Sequence, residues 1–457
     1  MGDYFMKFRS KLAIKCAKGT SSLIKKMGRG SGATLPGLIA RKIDPDIMSE
    51  MTKMVRNKVI VTMGTNGKTT TNAVMARAIK NEGYKIITNN TGANMYNGIL
   101  SAFVLAADKK GNIDCDFACI EVDEKASLGV LPDLKPDFAV LTNISKDQMD
   151  RLGGIDETFD IIKKAYSSVP NTTLVLNCDD AISYALKDSV DNKVVTYGIN
   201  EEIFKDLSHS EVEESIFCRF CGSKIDYNFH HYGLLGDYHC SGCDYKRPEP
   251  DYTFTNIAEN DEFYDFDVDG STIHSKIRTS YNIYNTLAAF TSMKAMGATT
   301  NKFKESIEGF DYGNNRENIY TINGKRFQLH LAKNPIGFQQ KISYILKDKK
   351  EKDILVLVND YPQDGEDVSW IWGVDFHYLK DANARSITTA GTRYGDLGLR
   401  FKYEDIPFKT TTDVKASIED LLKNGTDNIY LVVNYSGLFP VNGILKNLKE
   451  KEEGGNK

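Results

Sequence analysis

The sequence predicts an α/β protein: a P-loop domain built on a parallel sheet, an inserted four-cysteine ribbon, and a second Rossmann-like α/β domain. Three observations predict it. The stretch Val59-Ile60-Val61-Thr62-Met63-Gly64-Thr65-Asn66-Gly67-Lys68-Thr69-Thr70 reads as a buried strand, a glycine turn and a helix start. Apolar strand-length runs then alternate with helical patterns, first from 58 to about 200 and again from 318 onward, as parallel sheets with helices on both faces require. Between the two runs, Cys218-Arg219-Phe220-Cys221 is followed after 18 residues by Cys240-Ser241-Gly242-Cys243.

The 457 residues allow about three domains. The expected division is a basic helical segment 1–52, an ATP-binding domain 53–317 carrying the ribbon at about 211–250, and a C-terminal α/β domain 318–457. Lys and Arg number 58 against 62 Asp and Glu, a net charge of −4 that carries no global signal for nucleic acid. No apolar run reaches the roughly 18 residues of a membrane span, and the basic N-terminus lacks the apolar core of a secretion signal. A cytoplasmic protein is expected.

In residues 1–30, eight basic side chains (Lys7, Arg9, Lys11, Lys15, Lys18, Lys25, Lys26, Arg29) face one acid, Asp3. Phe5, Phe8, Leu12 and Cys16 recur at helical spacing, which predicts a basic amphipathic helix. Such a helix either packs on the next domain with a solvated face or touches an anionic membrane surface.

The glycine turn is read as a P-loop. Gly64 and Gly67 allow backbone to approach a ligand, and Lys68 supplies a cation. Thr69 supplies a hydroxyl for magnesium, and amides at a helix N-terminus face phosphate. Thr62 stands where the usual pattern has its first glycine. Strands are predicted at 58–62, 85–88, 116–121, 138–142, 173–177 and 193–197, and helices at 69–82, about 95–107, 156–168 and 179–187. Ligands of such sheets sit at the carboxyl ends of strands. There Glu121-Val122-Asp123-Glu124 offers magnesium-binding carboxylates.

The two Cys-x-x-Cys knuckles are spaced to hold one zinc through Cys218, Cys221, Cys240 and Cys243; four thiolates leave no open position, so the site is structural. The absence of a Lys/Arg stripe argues against a nucleic-acid ribbon. Cys16, Cys115, Cys119 and Cys178 read as reduced, mostly buried thiols. In the last domain, strands at 325–331, 353–359, 386–390 and 429–434 end in polar clusters. The loop Asp364-Gly365-Glu366-Asp367-Val368-Ser369-Trp370 carries acids beside Trp370 and Trp372, which points to a docked surface.

Several of these segments resemble the Mur ligases. The loop Gly64 to Thr70 is similar to their ATP loop, and Glu121 matches their metal-binding Glu. The segment Thr142-Asn143-Ile144-Ser145-Lys146-Asp147-Gln148-Met149-Asp150-Arg151 resembles Thr-Asn-Ile-x-x-Asp-His-x-Asp-Arg, with Gln148 in place of a metal-binding His. Asn177-Cys178-Asp179-Asp180 resembles Asn-Ala-Asp-Asp. Asn282 and Asn285 match the two Asn of a helix near the nucleotide base, though both are also candidates for helix capping. Arg316 in Gly313-Asn314-Asn315-Arg316-Glu317 matches a phosphate or ribose contact. Lys164, thirteen residues before Asn177, stands where many Mur ligases carry a carbamylated lysine, and is read as a surface residue.

With the ribbon, Ala332-Lys333-Asn334-Pro335 and the 364–370 loop added, nearly the whole chain resembles the MurT family, the Mur-ligase-like subunits of lipid II isoglutaminyl synthase. The resemblance implies a carbon–nitrogen ligase with glutamine as nitrogen donor. Such an enzyme uses ATP and magnesium to convert the α-carboxyl of D-glutamate in the lipid II stem peptide to an amide, with ammonia from a GatD-type glutaminase partner. It also implies that Asp367 completes, in trans, the partner's Cys-His pair, with Lys68 and Glu121 at the phosphate and metal. The alternatives are a stand-alone amino-acid ligase of the Mur or folylpolyglutamate type and a non-enzymatic ATP-gated scaffold. Gln148 and the poor match at Lys164 count against the former.

Overall fold

The β-branched run Val59-Ile60-Val61 forms the middle of β1 (Lys58–Met63), buried along its length. The computed structural model describes residues 6–26, 33–89, 92–145, 154–203, 217–260, 263–312 and 317–455. β2 (Ile86–Thr88), β3 (Phe117–Glu121), β4 (Phe138–Leu141), β5 (Thr173–Asn177) and β6 (Val194–Tyr197) complete a six-stranded sheet in the order β2-β3-β1-β4-β5-β6. Every pairing is parallel. Successive side chains alternate between two cores: Val59, Val61, Ala118 and Ile120 face one, and Ile60, Phe117 and Cys119 the other. β1 reverses order with its neighbours, so its carboxyl end opens a crevice for ligands.

The predicted strands and helices of this half all form, within two residues at each end, with one change. The 179–187 stretch is a single turn, Ala181–Tyr184, followed by a 3-10 turn, Ala185–Asp188. The helix Ser127–Leu134 was not expected, because Pro132 interrupts its pattern.

The N-terminal helix Phe8–Lys26 packs by the face opposite to the one its large apolar residues mark. Ser10, Ala13, Ile14 and Ala17 are buried, whereas Phe8 is 84% and Leu12 46% exposed and Cys16 is exposed as well. Three of these four buried side chains are small, which allows close approach to the neighbouring segments. The Ser10 hydroxyl donates to Asp44 at 2.5 Å, and Gly37 of the helix Leu35–Ile43 lies so near Asn97 that any Cβ would overlap its carbonyl. Phe5 falls outside the described residues.

The ribbon is a hairpin, β7 (Ile225–Tyr232) and β8 (Leu235–Cys240), leaning on Asp180 through a bridge to Leu235. A three-stranded antiparallel sheet, β9 (Thr255–Asn260), β10 (Phe263–Val268) and β11 (Ser271–His274), follows in the order β11-β10-β9. β9 has no apolar alternation, so the sequence offered no strand signal there. Phe254 and Phe266 stack beneath it, with ring centroids 4.3 Å apart.

The last sheet contains β12 (Glu317–Ile322), β13 (Lys325–Leu331), β14 (Lys352–Leu357), β15 (Ala384–Ala390), β16 (Lys409–Thr410) and β17 (Asn428–Val433). Its order is β12-β13-β17-β14-β15-β16, parallel except for the β12–β13 hairpin. Asn359 ties three strand ends together. It receives the Thr392 N–H at 2.9 Å on its side-chain oxygen and donates to the Ser436 hydroxyl at 2.8 Å, while the Asn434 side chain donates to its carbonyl at 2.7 Å. Among the described residues no helix is long and apolar enough to cross a membrane.

Candidate functional site

Gly64 and Gly67 have φ of +120° and +88°, conformations glycine adopts without strain. A Cβ on Gly64 would overlap Thr142 Oγ1, and one on Gly67 would overlap Asn285 Oδ1. The loop is therefore pressed between the end of β4 and the helix Tyr281–Ala295, and the helix Lys68–Asn81 starts immediately after it. Thr142 Oγ1 and Asn143 Nδ2 both donate to Asn66 O, at 2.6 and 3.0 Å, and Asn66 N–H donates back to Asn143 Oδ1 at 3.0 Å. These bonds fix the loop with amides at a helix start, the arrangement that receives phosphate.

Lys68 Nζ, largely buried, contacts Glu124 Oε1 at 2.8 Å and donates to Gly64 O at 2.5 Å. Thr69 Oγ1 donates to Glu121 Oε2 at 2.8 Å, and Asn94 donates to Glu121 Oε1 at 2.9 Å. The Glu121 backbone is paired with Asn89 in both directions, at 2.9 and 2.8 Å. A hydroxyl and a carboxylate side by side at the P-loop are hard oxygen donors of the kind magnesium takes, and a lysine beside them can balance phosphate charge.

Asp180 accepts from Ile144 N–H at 3.0 Å and from Ile182 N–H at 3.0 Å; burial pushes its carboxyl above the usual carboxylate range. Asp179 is clamped by Arg247 Nε at 2.6 Å, the Tyr284 hydroxyl at 2.6 Å and Ile199 N–H at 2.8 Å. Arg247 follows the last ribbon cysteine by four residues, so this buried pair fastens the ribbon to the sheet.

Lys68, Thr69, Glu121, Glu124 and Asp180 line a cavity of about 470 Å³ with walls from three units. The first sheet contributes Thr65 to Thr70, Glu121, Asp123 and Glu124, with Asn282 and Asn285 beyond. The ribbon hairpin contributes its tip, Tyr232, Leu234 and Leu235. The C-terminal domain contributes Lys333, Asn334, Lys341 and Asp364. Asn334 Nδ2 donates to Asn66 Oδ1 at 2.9 Å, joining that domain to the P-loop directly, while its Oδ1 caps the helix Pro335–Lys347 by accepting Gly337 N–H at 2.9 Å. Lys341 is buried and donates to the Tyr281 hydroxyl at 3.0 Å.

Of the residues chosen from sequence, Thr65, Asn66, Gly67, Lys68, Thr69, Thr70, Glu121, Asn282 and Asn285 come together on this cavity, and Gly64 shapes the turn beneath it. Asn282 and Asn285 do not cap their helix: Asn285 Nδ2 donates to Asn282 Oδ1 at 3.0 Å, and Asn282 Nδ2 to Thr279 Oγ1 at 3.2 Å. Gln148 and Arg316 lie outside the described residues. Lys164 is exposed and is not on the cavity wall. Asp367 is not on that wall either. Its carboxylate accepts Ser369 N–H at 2.7 Å, and the Ser369 hydroxyl and N–H hold it below the usual carboxylate range.

Sequence reasoning did not select Asn94, Asp180, Tyr232, Lys341 or Asp364 for the cavity. Asp180, in the Asn177–Asp180 segment that resembles the Mur ligases, and Asp364, at a strand exit, did carry a signal; the other three did not.

The sulfurs of Cys218, Cys221, Cys240 and Cys243 all lie within 4.8 Å of one another. Cys218 and Cys243 are 3.7 Å apart and Cys221 and Cys240 3.4 Å, converging as four thiolates around one ion would. The donor set suits a soft tetrahedral metal.

Residues 61–241 match the family described as Mur ligase middle domain, and residues 331–438 the one described as MurT ligase C-terminal. Lipid II isoglutaminyl synthase (glutamine-hydrolyzing) subunit MurT of Staphylococcus aureus (strain COL) is 34% identical over 454 residues, covering 97% of this chain and 98% of that protein. The subunit so named in Streptococcus pneumoniae is 32% identical over 446 residues, covering 96% and 98%. Among solved structures, a pseudomurein peptide ligase type C from Methanothermus fervidus aligns with a TM-score of 0.65 at 22% identity, over 88% of this chain and 81% of that one. A MurF ligase from Thermotoga maritima, in complex with ADP, aligns at 0.64 and 13% identity over 92% and 85%. At these identities the structural likeness speaks for the fold.

Proposed function

The chain belongs to the MurT family of Mur-ligase-like subunits, and on that premise we propose that it amidates the α-carboxyl of D-glutamate in the lipid II stem peptide, forming D-isoglutamine during peptidoglycan synthesis. A carboxylate is a poor acyl donor. Transfer of the terminal phosphoryl group of ATP converts it to an acyl phosphate, and ammonia then displaces phosphate. The observation that carries this reading is the shared cavity. It brings the phosphate loop of one sheet against Lys333, Asn334, Lys341 and Asp364 of the other.

Within it, Lys68 would hold the transferring phosphate, and Thr69 with Glu121 would hold magnesium. Their present pairing across 2.8 Å supports that fit. When bound, magnesium neutralises phosphate charge and orients the oxygens for in-line transfer. Asn282 and Asn285 support the nucleotide side of the pocket, and Tyr232, Leu234 and Leu235 keep its wall apolar, which shields an acyl phosphate from water. The proposed division of labour follows segments 1–52, 53–317 and 318–457.

Ammonia is expected from a GatD-type glutaminase in a heterodimer. The C-terminal domain supports such docking with exposed aromatics: Trp372 is 48% exposed and meets Tyr403 edge-on at 5.4 Å, with Tyr361 exposed on the Asp367 loop. Asp367, held ionised by Ser369, suits the orientation of a partner's imidazole. The four cysteines would hold structural zinc. The exposed Phe8 and Leu12, beside Lys7, Lys11 and Lys15, support contact with an anionic membrane face, where a lipid-linked substrate lies.

The test offers glutamine, ammonium and free amino acids side by side to the chain with its glutaminase partner, ATP, magnesium and lipid II. Amidation with glutamine and with ammonium, with ATP turnover dependent on the lipid substrate, is expected. Incorporation of an amino acid alone would replace this reading with the stand-alone ligase.

A further inference from the structure

Asp364 is a buried carboxylate with one oxygen unused among the described residues. It lies past the end of β14, where its N–H donates to Tyr361 O at 2.7 Å and Gly365, at φ +87°, reverses the chain behind it. The residue is 8% exposed. Oδ1 accepts the Ser436 N–H at 2.9 Å. Oδ2 is buried and meets no donor among the described residues. An unmatched charged oxygen is costly to bury, so a cationic donor placed there is bound strongly. Asp364 also lines the cavity that holds Lys68 and the P-loop, whereas Asp367, three residues on, does not. One short loop therefore carries a carboxylate on the reaction cavity and another off it.

Resting on the amidation reading above, we propose that Asp364 is the ammonium-receiving residue of the cavity. Ammonia in water at neutral pH is mostly ammonium, which has no lone pair for attack. Ammonium is small, cationic and rich in donors, and it is the one such species the reaction consumes. Asp364 Oδ2 accepts a hydrogen bond from it and then one proton, leaving ammonia within the cavity. The nitrogen lone pair forms the C–N bond at the acyl carbon, and the C–O bond to phosphate breaks, its electron pair leaving with the phosphate. The second proton lost from nitrogen goes to that phosphate, and the proton on Asp364 returns to solvent.

The experiment titrates ammonium chloride against the full-length chain in complex with its glutaminase, with ATP, magnesium and lipid II, for wild type, Asp364→Asn and Asp364→Glu. The Asn variant should raise the KM for ammonium about tenfold or more, the effect of losing one charge-assisted hydrogen bond. Its KM for ATP and for lipid II should stay within about twofold, and Glu should recover part of the loss. An unchanged ammonium KM overturns the proposal, as does an equal rise in all three KM values, which marks a general structural role. Melting temperature is measured alongside. If the Asn variant does not fold, Asp364→Glu decides: an ammonium KM equal to that of wild type, with the carboxylate moved by one methylene, rejects the assignment. Failure of wild type to use either ammonium or glutamine would instead remove the amidation reading itself.

Discussion

Gly67 shows how much one residue carries at this site. Its left-handed backbone and the Asn285 oxygen where a Cβ would sit leave no other residue type. The requirement for glycine was legible from the motif; the partner that imposes it, 218 positions away, was not. Asp367 is the opposite case. Its place in the loop was legible, and the structure adds the Ser369 hydrogen bond that holds it ionised. Asp367→Asn should cut glutamine-dependent amidation by as much as ~10⁴, the scale of losing an orienting carboxylate in a triad. Ammonium-dependent amidation should persist, because the residue lies off the cavity. Rates with the two nitrogen sources, measured on one preparation of the complex, check this; equal loss of both would sink the assignment in trans.

The ribbon hairpin is the element whose role changed most between sequence and structure. The cysteine spacing pointed to a structural metal knot, and the four sulfurs do converge. Its tip, however, forms one wall of the P-loop cavity through Tyr232, Leu234 and Leu235, and Arg247 at its base is buried against Asp179. A hairpin with so little core of its own would depend on a metal held by the four cysteines; such binding contributes on the order of 10 kcal/mol to folding in small zinc units. The purified chain should carry about one zinc by elemental analysis. Cys218→Ser should lose that zinc and bind ATP about tenfold or more weakly in calorimetry, since the wall moves with the knot. Four freely titrating thiols and no metal in the native protein would contradict the zinc assignment.

At the scale of the molecule, the C-terminal domain meets the preceding one through several polar contacts: Asn334 on Asn66 at the P-loop, Lys341 on the Tyr281 hydroxyl, and the Ser280 hydroxyl on Gln340. The N-terminal helix lies against the far core of the first sheet and leaves Phe8 and Leu12 outward among lysines. With the lipid-linked substrate proposed here, the complex should sediment with vesicles containing anionic lipid, less so as salt rises. Phe8→Ser with Leu12→Ser should weaken that binding by about tenfold or more, from the apolar area withdrawn. Equal sedimentation of wild type and double variant would show that this face does not touch lipid.

The two α/β sheets, the P-loop, the four-cysteine knot and the family were all legible in the sequence. Each is written in short-range pattern: apolar runs of strand length, glycines at fixed offsets, cysteine pairs. Tertiary packing settled which face of the first helix is buried: Ser10, Ala13, Ile14 and Ala17 go inside, while Phe8 and Leu12 stay out. It alone brought Lys341, Asp364 and Tyr232 to the P-loop. Their chemistry depends on distance between segments far apart in the chain, and no local pattern encodes that distance.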